Sequence, residues 1–86
     1  MATIPVTLRF FASIREAIGA GTQPWQTGAS DLAGLRDELI ARGAPYAQCL
    51  ARGRAVRMAV DQVMCDEARS LHSGAEVAFF PPVTGG

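Results

Sequence analysis

The chain contains no lysine. Eight arginines supply all of its fixed positive charge, and eight acids balance them to a formal charge of zero over 86 residues. With no basic excess to displace counterions, and with the arginines scattered, nucleic acid is not expected as the main partner. The missing lysine also removes the side-chain amine through which one copy of the chain could be joined to another by an isopeptide bond. The only histidine, His72, has no acid, thiol or hydroxyl partner fixed by spacing, and a solvated or capping role is expected for it. No GxGxxG, P-loop or pair of catalytic carboxylates occurs. The two cysteines, Cys49 and Cys65, form no CxxC and have no histidine nearby to complete a metal site. They read as small buried apolar side chains. No apolar run approaches the roughly 18 residues that a membrane span needs, and no basic segment followed by an apolar one marks a secretory signal. A cytoplasmic location without membrane attachment is expected. The chain is not expected to catalyse alone, to hold a metal or to bind a cofactor.

What is present describes one small domain. Apolar residues make up 49% and charged residues 19%, the balance of a globular chain rather than a disordered one, and the periodicities along it describe an α+β fold. Ile4, Val6, Leu8 and Phe10 alternate with Thr3, Pro5, Thr7 and Arg9, which predicts a half-buried strand. Phe11 breaks the alternation. Ala12–Ile18 reads as a short helix closed by Gly19, with Arg15 pointing outward. A second strand is expected over Thr22–Thr27, at a sheet edge because of Pro24, with Trp25 in the core or at its rim. Ser30 is expected to cap the main helix, and Asp31 to favour its positive end. Leu32, Leu35, Leu39 and Ile40 form one apolar stripe. Arg36, Asp37, Glu38 and Arg42 are expected to face water.

Gly43 and Pro45 end that helix. Tyr46–Leu50 reads as a short turn. Residues 56–60 and Val63-Met64-Cys65 read as two strands joined by a two-residue turn at Asp61-Gln62. An irregular connection anchored by Leu71 leads through Ser73-Gly74 to a last strand over 76–80. Within that strand Val77 and Phe79 share one face and Ala78 and Phe80 the other. If Phe79 is in the core, Phe80 is exposed; the alternative is that Phe80 and Met64 both belong to the core. The same alternation turns Val63 and Cys65 inward and Met64 outward. Phe80 and Met64 then make an apolar patch on the open sheet face, a usual sign of an interface.

Pro81-Pro82 ends the last strand, since neither residue can donate to a ladder and both fix φ. Residues 81–86 follow as an extended arm of roughly 20 Å reach at most. Gly85 and Gly86 carry no side chain to obstruct a narrow channel or an attack on the terminal carbonyl. A bare carboxylate is a poor acyl donor and becomes a good one as a mixed anhydride with phosphate.

The run Val77-Ala78-Phe79-Phe80-Pro81-Pro82-Val83-Thr84-Gly85-Gly86 resembles the ending of the small subunits of molybdopterin synthase, ubiquitin-like sulfur carriers. Phe10-Phe11-Ala12-Ser13-Ile14-Arg15-Glu16 resembles their first strand-to-helix junction. Ala59-Val60-Asp61-Gln62 resembles their internal hairpin, where asparagine is usual at the position of Asp61, and Ser73-Gly74-Ala75-Glu76-Val77 their last turn. The resemblance implies a β-grasp domain over residues 1–80, with a mixed sheet of four to five strands packed on one long helix and an extra short helix. In that fold the first and last strands lie side by side and parallel at the sheet centre. Residues 81–86, namely Pro81, Pro82, Val83, Thr84, Gly85 and Gly86, would be the arm inserted into a partner.

The resemblance also implies a chemistry. An adenylyltransferase related to ubiquitin-activating enzymes would use ATP to make an acyl-adenylate at Gly86, and sulfur would replace AMP to give a thiocarboxylate. The large synthase subunit, in a heterotetramer, would accept the arm, and the sulfur would pass to a cyclic pyranopterin to build the molybdopterin dithiolene. Phe80, Met64, Phe11 and Arg15 would contact the partners. Two alternatives stay open: a carrier of the same fold serving thiamin, cysteine or tRNA thiolation, and a binding module whose tail is never activated.

Overall fold

Strand β1, Ile4–Phe10, places Val6, Leu8 and Phe10 in the core and leaves the residues between them partly exposed, as its alternation requires. The computed structural model describes residues 2–82. Helix α1, Ala12–Ile18, follows directly and buries Ile14. It closes at Gly19, whose φ of 89° suits a residue without Cβ and whose N–H donates to the Arg15 carbonyl at 2.8 Å. Strand β2, Thr22–Thr27, pairs antiparallel with β1 and sets Pro24 opposite Thr7. It forms one sheet edge, where a missing N–H costs no ladder bond.

Helix α2, Leu32–Ala41, presents Leu32, Leu35 and Leu39 fully buried. Its cap is Asp31 and not Ser30. Asp31 holds the extended backbone of a cap, and its Oδ1 accepts from the Gly34 N–H at 2.9 Å. Ser30 is occupied otherwise, its carbonyl accepting from Leu71 N–H at 2.9 Å. The returning 66–75 connection also serves the first turn of α2. The Leu32 and Ala33 N–H groups donate to the carbonyls of Arg69 and Glu67, which satisfies donors that no intrahelical carbonyl can reach.

Two side chains expected in water turn inward. Arg36 is 4% exposed. It reaches helix α3, Tyr46–Leu50, which replaces the turn expected there. Arg36 Nε donates to the Leu50 carbonyl at 2.7 Å, Nη2 to Ala51 and Arg54 carbonyls at 2.9 and 3.2 Å, and Nη1 to Glu67 at 2.7 Å. The carbonyls at the end of α3 lack intrahelical donors, and the guanidinium fork supplies them. Arg52 joins the same cluster through Glu67 and Asp37. Glu38, half-buried, accepts from Thr27 Oγ1 at 2.7 Å, Trp25 Nε1 at 3.3 Å and Gly28 N–H at 2.9 Å. It thereby ties α2 to the end of β2. Asp37 and Arg42 do face water, and Arg42 lies over the Trp25 ring.

Strands β3, Arg57–Val60, and β4, Val63–Cys65, form a hairpin. Asp61 and Gln62 turn it with φ of 52° and 69°, the two positive values that match the twist of paired strands. Strand β5, Ala75–Phe80, runs parallel to β1 and antiparallel to β3, so the order is β2-β1-β5-β3-β4. One face of the sheet is covered by the helices and the other is open. Cys49 is buried and Cys65 half-buried, both as free thiols. This is the α+β architecture of a β-grasp domain.

Candidate functional site: a groove on the open sheet face

The register of the three inner pairings builds a trough. Arg9 stands beside Ala78, Ala78 beside Ala59, and Ala59 beside Met64. Paired residues project to the same side of a sheet. Two methyl groups therefore form the floor of a row whose ends are long side chains. Arg9 and Phe11 wall the groove on one side, and Gln62 and Met64 on the other. Glu76 and Phe80, two residues either way from Ala78 along β5, complete its lining.

Its apolar members are the ones that the core leaves out. Among the described residues Phe11, Val63 and Met64 are the exposed large hydrophobic side chains, at 40%, 54% and 51%, and Phe11 and Met64 line the groove. Phe80 is half-buried and meets Phe11 edge-on, with ring centroids 6.0 Å apart and planes at 86°. That geometry suits the quadrupoles of two rings. A sharp turn sets Phe11 outward: the next residue, Ala12, has a φ of 51°, a left-handed value rare for a residue with Cβ.

Three of the four expected contact residues, Phe80, Met64 and Phe11, thus come together. Arg15 does not line the groove; its Nε lies 3.2 Å from where a Cβ on Gly21 would stand. Val63 was expected inward with Cys65. It is exposed because β4 is a three-residue edge strand, from which Cys65 packs against the core. Arg9, Ala59, Ala78, Gln62 and Glu76 escaped the sequence reading as groove residues. The signal existed, since alternation sets Arg9 opposite the core and parallel pairing brings it beside Ala78.

Pro81 and Pro82 leave β5 half-buried and outside any strand, immediately past Phe80. Val83, Thr84, Gly85 and Gly86, the rest of the expected arm, lie outside the described residues.

His72 has the acid partner that spacing did not disclose. Its Nε2 lies 2.6 Å from Asp61 Oδ2, and its Nδ1 lies 3.0 Å from the Ser73 carbonyl. Both neighbours are acceptors, so both ring nitrogens can donate only in the imidazolium form. The Asp61 carboxylate and then the Ser73 carbonyl raise the His72 pKa, while His72 and then the Glu76 N–H lower that of Asp61. No group of three or more metal-ligating side chains is found among the described residues, nor does any helix among them reach the length and apolarity of a membrane span.

Comparison with known proteins places this geometry in context. The ThiS family profile matches residues 8–86. The molybdopterin synthase sulfur carrier subunit of Escherichia coli strain K12 is 35% identical over 81 residues, covering 94% of this chain and 99% of that protein. The solution structure of the Haloferax volcanii HVO 2177 protein superposes with a TM-score of 0.81 at 26% identity, covering 99% of this chain and 89% of the other. A complex of subunits 1 and 2 of the molybdopterin-converting factor from Helicobacter pylori contains a chain with a TM-score of 0.63 at 26% identity, covering 96% of this chain and all of that one.

Proposed function

The chain belongs to the ThiS family, and we propose that within it this protein is the sulfur carrier subunit of a molybdopterin synthase. The observation that carries the reading is the apolar groove ending at Phe80, where Pro81-Pro82 begins the path to Gly86. It is supported by near-full-length similarity to a subunit of that name. Phe11, Met64 and Phe80 seat the partner, and the arm from Pro81 through Val83, Thr84 and Gly85 carries Gly86 into it.

In this reading the activating chemistry belongs to other proteins. An adenylyltransferase joins the Gly86 carboxylate to AMP from ATP with release of pyrophosphate. Hydrosulfide, or a persulfide whose acyl disulfide a second thiol then reduces, displaces AMP and leaves a thiocarboxylate. Its sulfur is a soft nucleophile at neutral pH, and a closed partner pocket keeps water from it. In the large subunit the sulfur passes to the pyranopterin, and hydrolysis returns the carboxylate. The H. pylori complex of subunits 1 and 2 supports a large-subunit partner; a heterotetramer and a cytoplasmic setting complete the proposal.

Intact-protein mass spectrometry after incubation with ATP, a sulfur donor and the matching adenylyltransferase tests it. A gain of about 16 Da mapped to Gly86 is expected, with tandem spectra separating it from methionine oxidation. An unchanged Gly86 beside a working control carrier would overturn the reading. One residue added after Gly86 should abolish the gain.

A further inference from the structure

One wall of the groove is charged. Arg9 rises beside the alanine floor with its guanidinium 5.5 Å from the centroid of the Phe11 ring. A guanidinium carries five N–H donors. Arg9 Nη1 donates to Glu76 Oε2 at 3.0 Å, and Nε is buried without an acceptor among the described residues. The Arg9 side chain is 38% exposed, so its outer edge meets water in the free chain. Arg57, exposed and in register with Phe80, stands on the same face. Among the described residues the groove lining holds one arginine, Arg9, and one carboxylate, Glu76, with Arg57 at one end of the row beside Phe80 and Asp61 at the other beside Glu76.

A protein seated on Phe11, Met64 and Phe80 would cover the outer edge of Arg9 and strip its water. Donors buried without acceptors lose their hydration and gain nothing in return. The incoming surface must supply acceptors. A carboxylate offers two in one plane and matches the donors of the guanidinium fork that Glu76 leaves open. A carbonyl offers one and no charge.

We propose that the protein receiving the arm places a carboxylate against Arg9 when it docks, so that the guanidinium is held between that group and Glu76. This inference rests on the sulfur-carrier reading above, with the large synthase subunit as the occupant. The contact selects an acidic docking segment; the apolar rings around it supply the buried area.

Titration calorimetry of the matching large subunit against the whole chain, at low and high salt, tests it. Arg9→Leu should weaken binding at least about tenfold and flatten its salt dependence, and Arg9→Glu should weaken it further. Arg9→Lys should fall between, since it keeps the charge and loses the fork. Thermal melts separate unfolding from lost docking, and Arg9→Lys carries the test should Arg9→Leu fail to fold. Wild-type affinity and salt slope in Arg9→Leu, or in Arg9→Lys and Arg9→Glu alike, would overturn the inference. Phe80→Asp distinguishes the two levels. If it abolishes binding while the Arg9 variants bind normally, the docking reading survives without the carboxylate. If it too binds normally, the docking reading has failed.

Discussion

Phe79 and Phe80 are adjacent on one strand and do opposite work. Phe79 is fully buried and stacks on Phe10, with centroids 6.0 Å apart and planes at 16°. Phe80 points to the open face and meets only part of its surroundings. The difference runs the length of β5: Ala75, Val77 and Phe79 are fully covered, while Glu76, Ala78 and Phe80 are half-exposed. The helices finish one face of this sheet within the chain. The other face keeps apolar surface whose burial would contribute roughly 25 cal/mol per Å², and that gain is left for an encounter.

The comparison breaks most directly by truncating each ring in turn. Phe79→Ala should lower the unfolding free energy by about 3–5 kcal/mol, through lost transfer energy and a cavity. Urea denaturation would measure it. Phe80→Asp should cost less, about 1–2 kcal/mol for the half-buried area and the ring contact with Phe11, and should lose binding to the large subunit. Equal destabilisation by the two changes would mean that β5 has no free face.

The covered side has a polar seam as well as an apolar one, and Arg36 sharpens the contrast. It is nearly as buried as its leucine neighbours, yet it works by hydrogen bonds to Leu50, Ala51, Arg54 and Glu67. Arg36→Ala strands those acceptors and should cost about 2–4 kcal/mol, with α3 loosened first. Hydrogen exchange at Tyr46–Leu50 would report that loosening. Arg9→Leu on the open face should leave exchange there unchanged. Equal protection in Arg36→Ala and the parent would show that α3 holds without the latch.

Part of this architecture is local and therefore legible in the sequence. Period-two alternation in β1 and β5 is local, and it separated Phe79 from Phe80 before any tertiary contact was known. The Asp61-Gln62 turn and the Gly19 closure are local as well. Arg36 and Glu38 could not be read this way. Their burial depends on orphan carbonyls at the end of α3 and on Trp25 and Thr27 in β2, none of which lies on α2. His72 pairs with Asp61 only because the hairpin and the turn before β5 meet at one sheet end. The alanine floor of the groove needs the register of three strands, which no single segment encodes.

That sheet end carries the smallest expected effect. Asp61 raises the pKa of His72, so the stability from this pair is fully present below the unfolded histidine value of about 6.5 and is lost as pH rises through the folded one. His72 lowers the pKa of Asp61, so the same stability is present above the unfolded carboxylate value of about 3.9 and is lost as pH falls through the folded one. The pair therefore contributes most between about pH 4 and 6.5. Both groups are open to water and screened by salt, which keeps the contribution small. Thermal midpoints of the parent and of His72→Gln should differ most inside that window and converge on both sides of it. Asp61→Asn retains an oxygen for the Glu76 N–H and should remove the same pH-dependent difference. A gap between parent and His72→Gln that stays constant with pH would mean that the ring holds the turn by packing and not by charge. The open face would then be framed by a fixed corner, and the groove beside it would keep its shape at any pH at which the chain folds.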